Sequence, residues 1–122
     1  MRGVTVLTEE QLLAVLTAVA NPQRLRVIAE LTGGRIHVSE LARRLGMSRP
    51  LLYMHLDKLE KAGLVAGQLE LSGDGKAMKY FELAPFEVRL TADTIVAALA
   101  ASTDGATHDE LTADTDTKAS DR

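Results

Sequence analysis

Side chains that can bind phosphate and read nucleic-acid bases are concentrated in the middle of this chain. Residues 35–81 contain eight lysines and arginines against five acidic residues, a local charge of +3. Lysine and arginine neutralise phosphates, and arginine can also donate two parallel hydrogen bonds to guanine in the major groove. The composition of this stretch therefore permits a nucleic-acid interface without requiring one.

Arg49 is the first candidate for base recognition, because it stands at the start of a predicted helix, directly after Ser48; the alternative is a solvated surface arginine. A serine at this position can meet a phosphate through its hydroxyl and the neighbouring backbone amides. Tyr53 could contact a base or a phosphate, and covering the edge of a hydrophobic core is an equal alternative. The other candidates are cations for phosphate binding, with a solvated protein surface as the alternative for each: Arg43, Arg44, Lys76 and Lys79.

Residues 38–65 have the helix-capping residues and glycine stops that are typical of a helix-turn-helix followed by a strand. Ser39 is predicted to cap a short helix that ends at Gly46. Ser48 is predicted to cap a second helix over about 48–62, in which a proline is tolerated in the first turn. Such a pair of helices presents one polar face to a groove while the other face holds a core.

The second of these helices has a predicted buried stripe at Leu52, Leu56 and Leu59, which are spaced by four and three residues. Gly63 supplies the left-handed residue that ends it. The outward face would then carry Arg49, Pro50, Tyr53 and Met54.

Further elements are predicted on both sides. Thr8 and Gln11 fit the capping box of a helix over about 9–20, and Asn21-Pro22 begins another that stops at Gly33-Gly34. The runs 64–71 and 77–83 flank an Asp-Gly step and indicate a hairpin, and a last helix begins after Thr91. The predicted fold class is mainly α with a small β-hairpin, in the order helix, helix, helix-turn-helix, hairpin, helix.

Three stretches, AVANPQRLRVIAEL, VSELARRLGMS and HLDKLEKAGLV, resemble the ArsR/SmtB-type winged helix-turn-helix transcriptional regulators, with MarR-like families as neighbours. The resemblance covers about residues 10–84. It implies a winged helix domain that binds double-stranded DNA, with the hairpin at about 64–83 as the wing. It also implies a histidine near the DNA backbone at His55, for which a partly buried, protein-bound role is the alternative. The candidate DNA contacts are then Arg43, Arg44, Ser48, Arg49, Pro50, Tyr53, His55, Lys76 and Lys79.

Many members of that family sense metal ions, but this sequence lacks the ligand patterns. Where the thiolate sensors carry Cys-Val-Cys-Asp-Leu, this chain has His37-Val-Ser-Glu-Leu, and it contains no cysteine. On the last helix Asp93 is followed by Ile95 where a second ligand would stand, and His108 is alone. We therefore expect neither a metal site nor a cofactor, and a loop or helix-start role for His37. The sequence contains neither a glycine-rich phosphate loop nor a nucleophile–base constellation, so we do not expect an enzyme.

The first and last predicted helices carry more apolar surface than a small winged helix can bury in its own core. Surplus apolar surface of this kind indicates a partner, and we expect a symmetric homodimer. The predicted interface residues are Leu12, Leu13, Leu16, Val19, Ile95, Val96 and Leu99.

The net charge of −3 is unevenly distributed. Residues 103–122 hold six acidic against two basic side chains, a charge of −4 that leaves +1 for residues 1–102. We predict one DNA-binding and dimerisation domain over 1–102 and a disordered acidic tail over 103–122. The tail is either an inert extension or a competitor for the basic surface. The start of the chain lacks a signal-peptide pattern and no apolar run reaches ~18 residues, so we expect a cytoplasmic location and no membrane partner.

The sequence thus favours a dimeric repressor that reads a pseudo-palindromic operator and is released by a small-molecule or protein effector of unknown identity. Activation in place of repression stays open. The alternative is a winged helix protein-interaction module without sequence-specific DNA binding, and a metal-responsive sensor is less favoured.

Overall fold

The computed structural model describes residues 6–105, with side chains through Ser102. The elements follow the predicted order, with one additional strand, β1. They are α1 (Glu9–Val19), α2 (Pro22–Leu31), β1 (Ile36–His37), α3 (Val38–Leu45), α4 (Arg49–Lys61), β2 (Val65–Leu71), β3 (Ala77–Leu83) and α5 (Ala92–Gly105). The predicted mainly helical class with a small hairpin is confirmed.

Two compact units divide the chain, and α1 begins in one and ends in the other. Residues 14–87 form the first unit, which contains the helix-turn-helix and the sheet. The second unit comprises, among the described residues, 6–13 and 88–105. α5 continues to Gly105, three residues past the predicted end of the domain, and the rest of the acidic stretch lies outside the described residues.

The core of the first unit is built on the predicted stripe of α4. Leu52, Leu56 and Leu59 are fully buried, as their spacing predicted. Removing a leucine side chain from water contributes roughly 1.5–3 kcal/mol, so this stripe alone holds α4 firmly against the helices and strands behind it. Its packing partners are α2, α3 and β2.

The end of α4 follows the glycine prediction. Gly63 has a φ of 82°, and its N–H donates to the Glu60 carbonyl at 3.0 Å. The Leu64 N–H donates to the Leu59 carbonyl at 2.9 Å, which completes a Schellman motif. The chain therefore leaves α4 in a fixed direction and enters β2 within a few residues.

The start of α3 differs from the prediction that Ser39 caps it. The cap is His37, whose Nδ1 accepts a hydrogen bond from the Ser39 backbone N–H at 3.1 Å. The helix-start role expected for His37 is thus confirmed, while Ser39 lies inside the first turn. An imidazole nitrogen can fill the cap because any acceptor within reach satisfies an unpaired N–H of the first turn.

β1 was absent from the sequence prediction, and it makes the hairpin a three-stranded sheet with the order β1-β3-β2. Both of its residues pair with β3 in antiparallel register, Ile36 opposite Phe81 and His37 opposite Tyr80. Two residues cannot show a period in sequence, so this strand forms only because β3 offers it an open edge.

The wing is the β2–β3 hairpin. Its seven residue pairs run from Val65–Leu83 to Leu71–Ala77. At the tip the Ser72 N–H donates to the Lys76 carbonyl at 2.7 Å, and Gly75 takes a φ of 87° that glycine adopts readily. Across the sheet Arg35 donates to both oxygens of Glu70 and lies over the Tyr80 ring at 4.3 Å.

In the second unit both helices begin with side-chain caps. Thr8 and Gln11 form the predicted capping box, with hydrogen bonds of 3.0 and 3.1 Å. Thr91 and Thr94 bond to each other's backbone N–H at the start of α5. The Glu9 N–H also donates to the Ser102 hydroxyl at 2.5 Å, joining the beginning of α1 to α5.

Within residues 6–105, none of the helices is both long and apolar enough to cross a bilayer.

Candidate nucleic-acid interface

The N-terminal half of α4 is held with its outer face open to solvent. The Ser48 hydroxyl caps the helix by accepting from the Leu51 N–H at 3.3 Å, as predicted. Arg49, Pro50, Tyr53 and Met54 are all exposed, whereas Leu52 is fully buried. The predicted outward face is therefore the observed one.

Arg49 and the wing tip share one groove. Its walls include His37, Arg49, Asp74 and Lys76. The Arg49 Nη1 donates to the Ser39 hydroxyl at 2.8 Å, which ties the guanidinium to the first turn of α3. None of the five ion pairs formed among the described residues involves Arg49 or Lys76. Both charges therefore remain available to an external anion.

Asp74 is the acidic member of this groove. Its carboxylate accepts from the Ser72 hydroxyl and from the Lys76 backbone N–H at 3.2 Å, and these hydrogen bonds lower the pKa of Asp74. Its role is to fold the wing tip, and its negative charge stays beside Lys76.

Tyr53 and Lys79 meet on the buried ring of Phe81. Tyr53 packs edge-on against this ring with centroids 6.4 Å apart, and the Lys79 Nζ lies 5.4 Å from the ring centre. Tyr53 covers the edge of the core and is still 40% exposed. The packing on Phe81 fits the alternative in which Tyr53 covers the edge of the core, and a contact with a base or a phosphate stays a prediction.

Arg43 and Arg44 already have a protein partner, which the sequence analysis did not anticipate. Both guanidiniums donate to the carboxylate of Glu40, at 2.9 and 2.5 Å from Arg43 and at 2.9 Å from Arg44. Arg44 also reaches Glu30 at 3.5 Å. The hydrogen bonds from Arg43 and then Arg44 lower the pKa of Glu40 to about 2, so this carboxylate is ionised at any ordinary pH. A phosphate at this site would have to compete with Glu40.

His55 is half-buried and bonded to the protein. Its Nδ1 lies 3.3 Å from the Nη1 of Arg24. Because a guanidinium can only donate, Nδ1 is the acceptor and Nε2 carries the proton of the neutral ring. Burial, followed by the charge of Arg24, lowers the pKa of His55. The neutral ring can still donate one hydrogen bond through Nε2, which is compatible with a phosphate contact.

Arg24 was missed by the sequence analysis. Its side chain is only 8% exposed, and its Nε and Nη2 donate to the carbonyls of Ala18 at 2.6 Å and Thr17 at 3.3 Å. A cation that binds the last carbonyls of a helix is favourably placed with respect to the helix dipole. The sequence signal that could have pointed to Arg24 was the predicted cap at Asn21. The Asn21 Oδ1 accepts from the Arg24 N–H at 3.1 Å, and this places Arg24 in the first turn of α2, next to the end of α1.

The structure thus brings together two small sets of the predicted residues. Arg49 and Lys76 line one groove, and Tyr53 and Lys79 meet at Phe81. Among the described side chains, no three histidines, aspartates or glutamates cluster as potential metal ligands.

Comparison with known proteins identifies the class of protein to which this chain is similar. A model of the family described as "Helix-turn-helix domain" matches residues 19–68. The uncharacterized HTH-type transcriptional regulator MJ0229 of Methanocaldococcus jannaschii is 37% identical over 70 residues, which cover 57% of this chain and 73% of that protein.

Solved structures agree. A possible transcriptional regulatory protein from Mycobacterium bovis (fragment 1–100) superposes with a TM-score of 0.55 at 25% identity, over 79% of this chain and 92% of that one. The homodimeric winged helix-turn-helix domain of Mb0332 from the same organism, a possible ArsR-family regulator, gives a TM-score of 0.52 at 25% identity, over 79% and 80%.

The capped and outward-facing α4, together with the wing beside it, defines a winged helix-turn-helix protein that binds DNA to regulate transcription. The chain belongs to the HTH-type transcriptional regulators, and its winged helix-turn-helix fold is ArsR-like.

Proposed function

We propose that this regulator is a homodimeric repressor that reads a pseudo-palindromic operator with α4 in the major groove. The observation that supports this proposal is the groove between α4 and the wing, which Arg49 and Lys76 both line. Neither side chain takes part in an ion pair among the described residues. Arginine at the start of a recognition helix can pair with guanine O6 and N7, while a wing lysine can bind a flanking phosphate.

The other candidate residues would contact the DNA backbone, each in a different way. Ser48 would present its hydroxyl and first-turn amides to a phosphate. Tyr53 and the Nε2 of His55 could each donate one hydrogen bond to the backbone. Lys79, two residue pairs from the tip of the wing, would bind a flanking phosphate. Arg43 and Arg44 would contribute only to the extent that a phosphate displaces Glu40.

Dimerisation is proposed from two observations. Mb0332, which shares the fold, is homodimeric. In this chain Leu13, Ile95, Val96 and Leu99 are exposed in the second unit, whereas Leu12 is buried in its own protomer. Leu16 and Val19 are half-buried. Two copies related by a two-fold axis would place their recognition helices about one turn of DNA apart, ~34 Å.

Repression would follow from occupying the operator, and a small molecule or a protein would release it by changing the separation of the two recognition helices. Residues 1–102 form the DNA-binding and dimerisation domain in this proposal, and the acidic remainder lies outside it.

The test is fluorescence anisotropy with the DNA upstream of the gene and with random DNA, over a salt series. Wild type should bind its operator selectively and lose affinity steeply as salt screens the phosphates. Arg49→Ala should lose about 1–3 kcal/mol and the preference at one base position.

Arg26→Ala is the matched control, because Arg26 is an exposed arginine of α2 that donates only to Gln23 among its recorded contacts. It should bind as wild type does. If neither DNA bound at low salt, an operator upstream of its own gene would be excluded, and selection from a random duplex library would follow. Failure there too would favour a protein-interaction module.

A further inference from the structure

The outer face of α4 is apolar at its centre. With about 100° per residue, Met54 points about 170° away from the mean direction of the buried leucines, and Pro50 about 150° away. Met54 is 64% exposed and Pro50 is exposed as well. Arg49 lies towards one side of the helix, where it reaches the Ser39 hydroxyl. The position that enters a major groove most deeply is therefore occupied by side chains that cannot donate a hydrogen bond.

The surroundings of this apolar centre favour DNA as its occupant. Arg49 directly precedes Pro50 on the helix and shares a groove with Lys76, and the amides of the first turn of α4 lie at the N-terminal end of this face. A polyanion is attracted by both features, whereas an apolar protein partner is favoured by neither.

The major groove offers one apolar group to such a face, the C5 methyl of thymine. Against the polar edge of a G·C pair, Met54 would remove water from donors and acceptors without replacing their hydrogen bonds. Against a thymine methyl, apolar surface meets apolar surface and both leave water. We propose that Met54, supported by Pro50, determines operator specificity by packing on a thymine methyl group in each half-site. This inference rests on the proposed function, because it requires α4 to lie in the major groove.

The experiment begins with selection of binding sites from a random duplex library by the full chain. Each thymine of the enriched half-site is then replaced by deoxyuridine, which removes only the methyl group. At one position at least, wild type should bind about fourfold more weakly, the loss that corresponds to one methyl group leaving an apolar contact.

Met54→Ala should bind the thymine and deoxyuridine duplexes equally, because the partner of the methyl group is gone. Leu25→Ala is the control, since Leu25 is 53% exposed on α2, and it should keep the fourfold difference. Met54→Gln keeps the length of the side chain and should shift the preference at the same position towards adenine, which glutamine can bind through two hydrogen bonds.

Three outcomes would overturn the inference: an enriched half-site without thymine, equal binding of both duplexes by wild type, or an undiminished methyl effect in Met54→Ala. In each of these the protein still binds selected DNA, so the proposed function stands. If no sequence were enriched and binding did not depend on salt, the proposed function itself would fail, and the exposed face of α4 would be assigned to a protein partner.

Discussion

Among single residues, Arg24 joins more of the first unit than any predicted site residue does. Its guanidinium holds two carbonyls at the end of α1 and the imidazole of His55 on α4. It therefore links the end of α1 directly to the helix that is proposed to read DNA.

Arg24→Ala should lower the free energy of unfolding by about 2 kcal/mol or more, because it leaves the Ala18 and Thr17 carbonyls without their donors and removes a buried side chain. Urea denaturation at pH 7.5 measures the change. Arg26→Ala, two positions further along the same helix but exposed, should cost less than about 0.5 kcal/mol. Equal losses in the two variants would contradict the role assigned to Arg24.

The pH dependence of stability should contain a contribution from His55. Its pKa in the folded protein is lowered from the ordinary value of 6.5, so the fold favours the neutral ring. The stabilisation is present above about pH 6.5 and is lost as the pH falls through the folded pKa, with a slope below about 1.4 kcal/mol per pH unit, the limit for one proton. Urea denaturation between pH 7.5 and 5.5 should show less loss in His55→Gln than in wild type. Parallel curves would exclude this contribution.

Glu40 restrains two of the candidate phosphate ligands. Glu40→Gln should tighten binding to random DNA several-fold at low salt, because Arg43 and Arg44 lose their ionic partner and become available to phosphates. Glu87→Gln removes one negative charge from an exposed position and serves as the control in anisotropy measurements. The same gain in both variants would mean that only total charge matters.

Among the elements, the wing depends on a close approach between its strands and the core. A Cβ added at Gly67 of β2 would lie 2.9 Å from the Lys79 Cε and from the Phe81 ring. The end of the lysine can move aside, but the buried ring cannot.

Gly67→Ala should therefore destabilise the protein by about 1–3 kcal/mol, the usual cost of overpacking a core. Gly73→Ala adds the same methyl group at the wing tip, where nothing lies within 4 Å, and should change stability much less. Thermal denaturation of both variants makes the comparison, and a tolerated Gly67→Ala would show that β2 shifts to admit the methyl group.

The elements also show what the sequence could reveal. The caps at Thr8, Asn21 and Ser48, the glycine stop at Gly63 and the hairpin all follow local rules, and each was predicted. Two of the missed features depend on residues far apart in sequence, whereas the His37 cap of α3 and the pairing of Glu40 with Arg43 and Arg44 are local and were missed as well. β1 exists only through its pairing with β3, and the ion pairs of Arg44 include Glu30 on another helix. The candidate site was accordingly predictable as a set of exposed residues, but the partners that already occupy some of them were not.

Considering the whole molecule, the positive charge is concentrated in the first unit, where the central stretch 35–81 carries the excess. Exposed apolar side chains occur in both units, on α4 and the wing as well as on α5. The proposed dimer interface is therefore assigned to the part of this apolar surface that lies away from the basic stretch.

Val96→Asp should convert the proposed dimer to a monomer, because a carboxylate would be buried without a partner in the interface. Sedimentation at micromolar concentration measures the mass. Leu69→Asp is the control, since Leu69 of the wing is 66% exposed and Val96 is 64% exposed. A monomeric wild type would refute the dimer, and a dimeric Val96→Asp would move the interface elsewhere.

His37 belongs to two structures at once, since it pairs with Tyr80 in the sheet and caps α3 with its ring. A rotation of the wing against the helix-turn-helix would have to break the strand pair or the cap. We therefore expect the helix-turn-helix and the wing of each protomer to move as one rigid body. An effector would then act by changing the distance between the two recognition helices. Operators with altered spacing between their half-sites should weaken binding in the same way as the effector does.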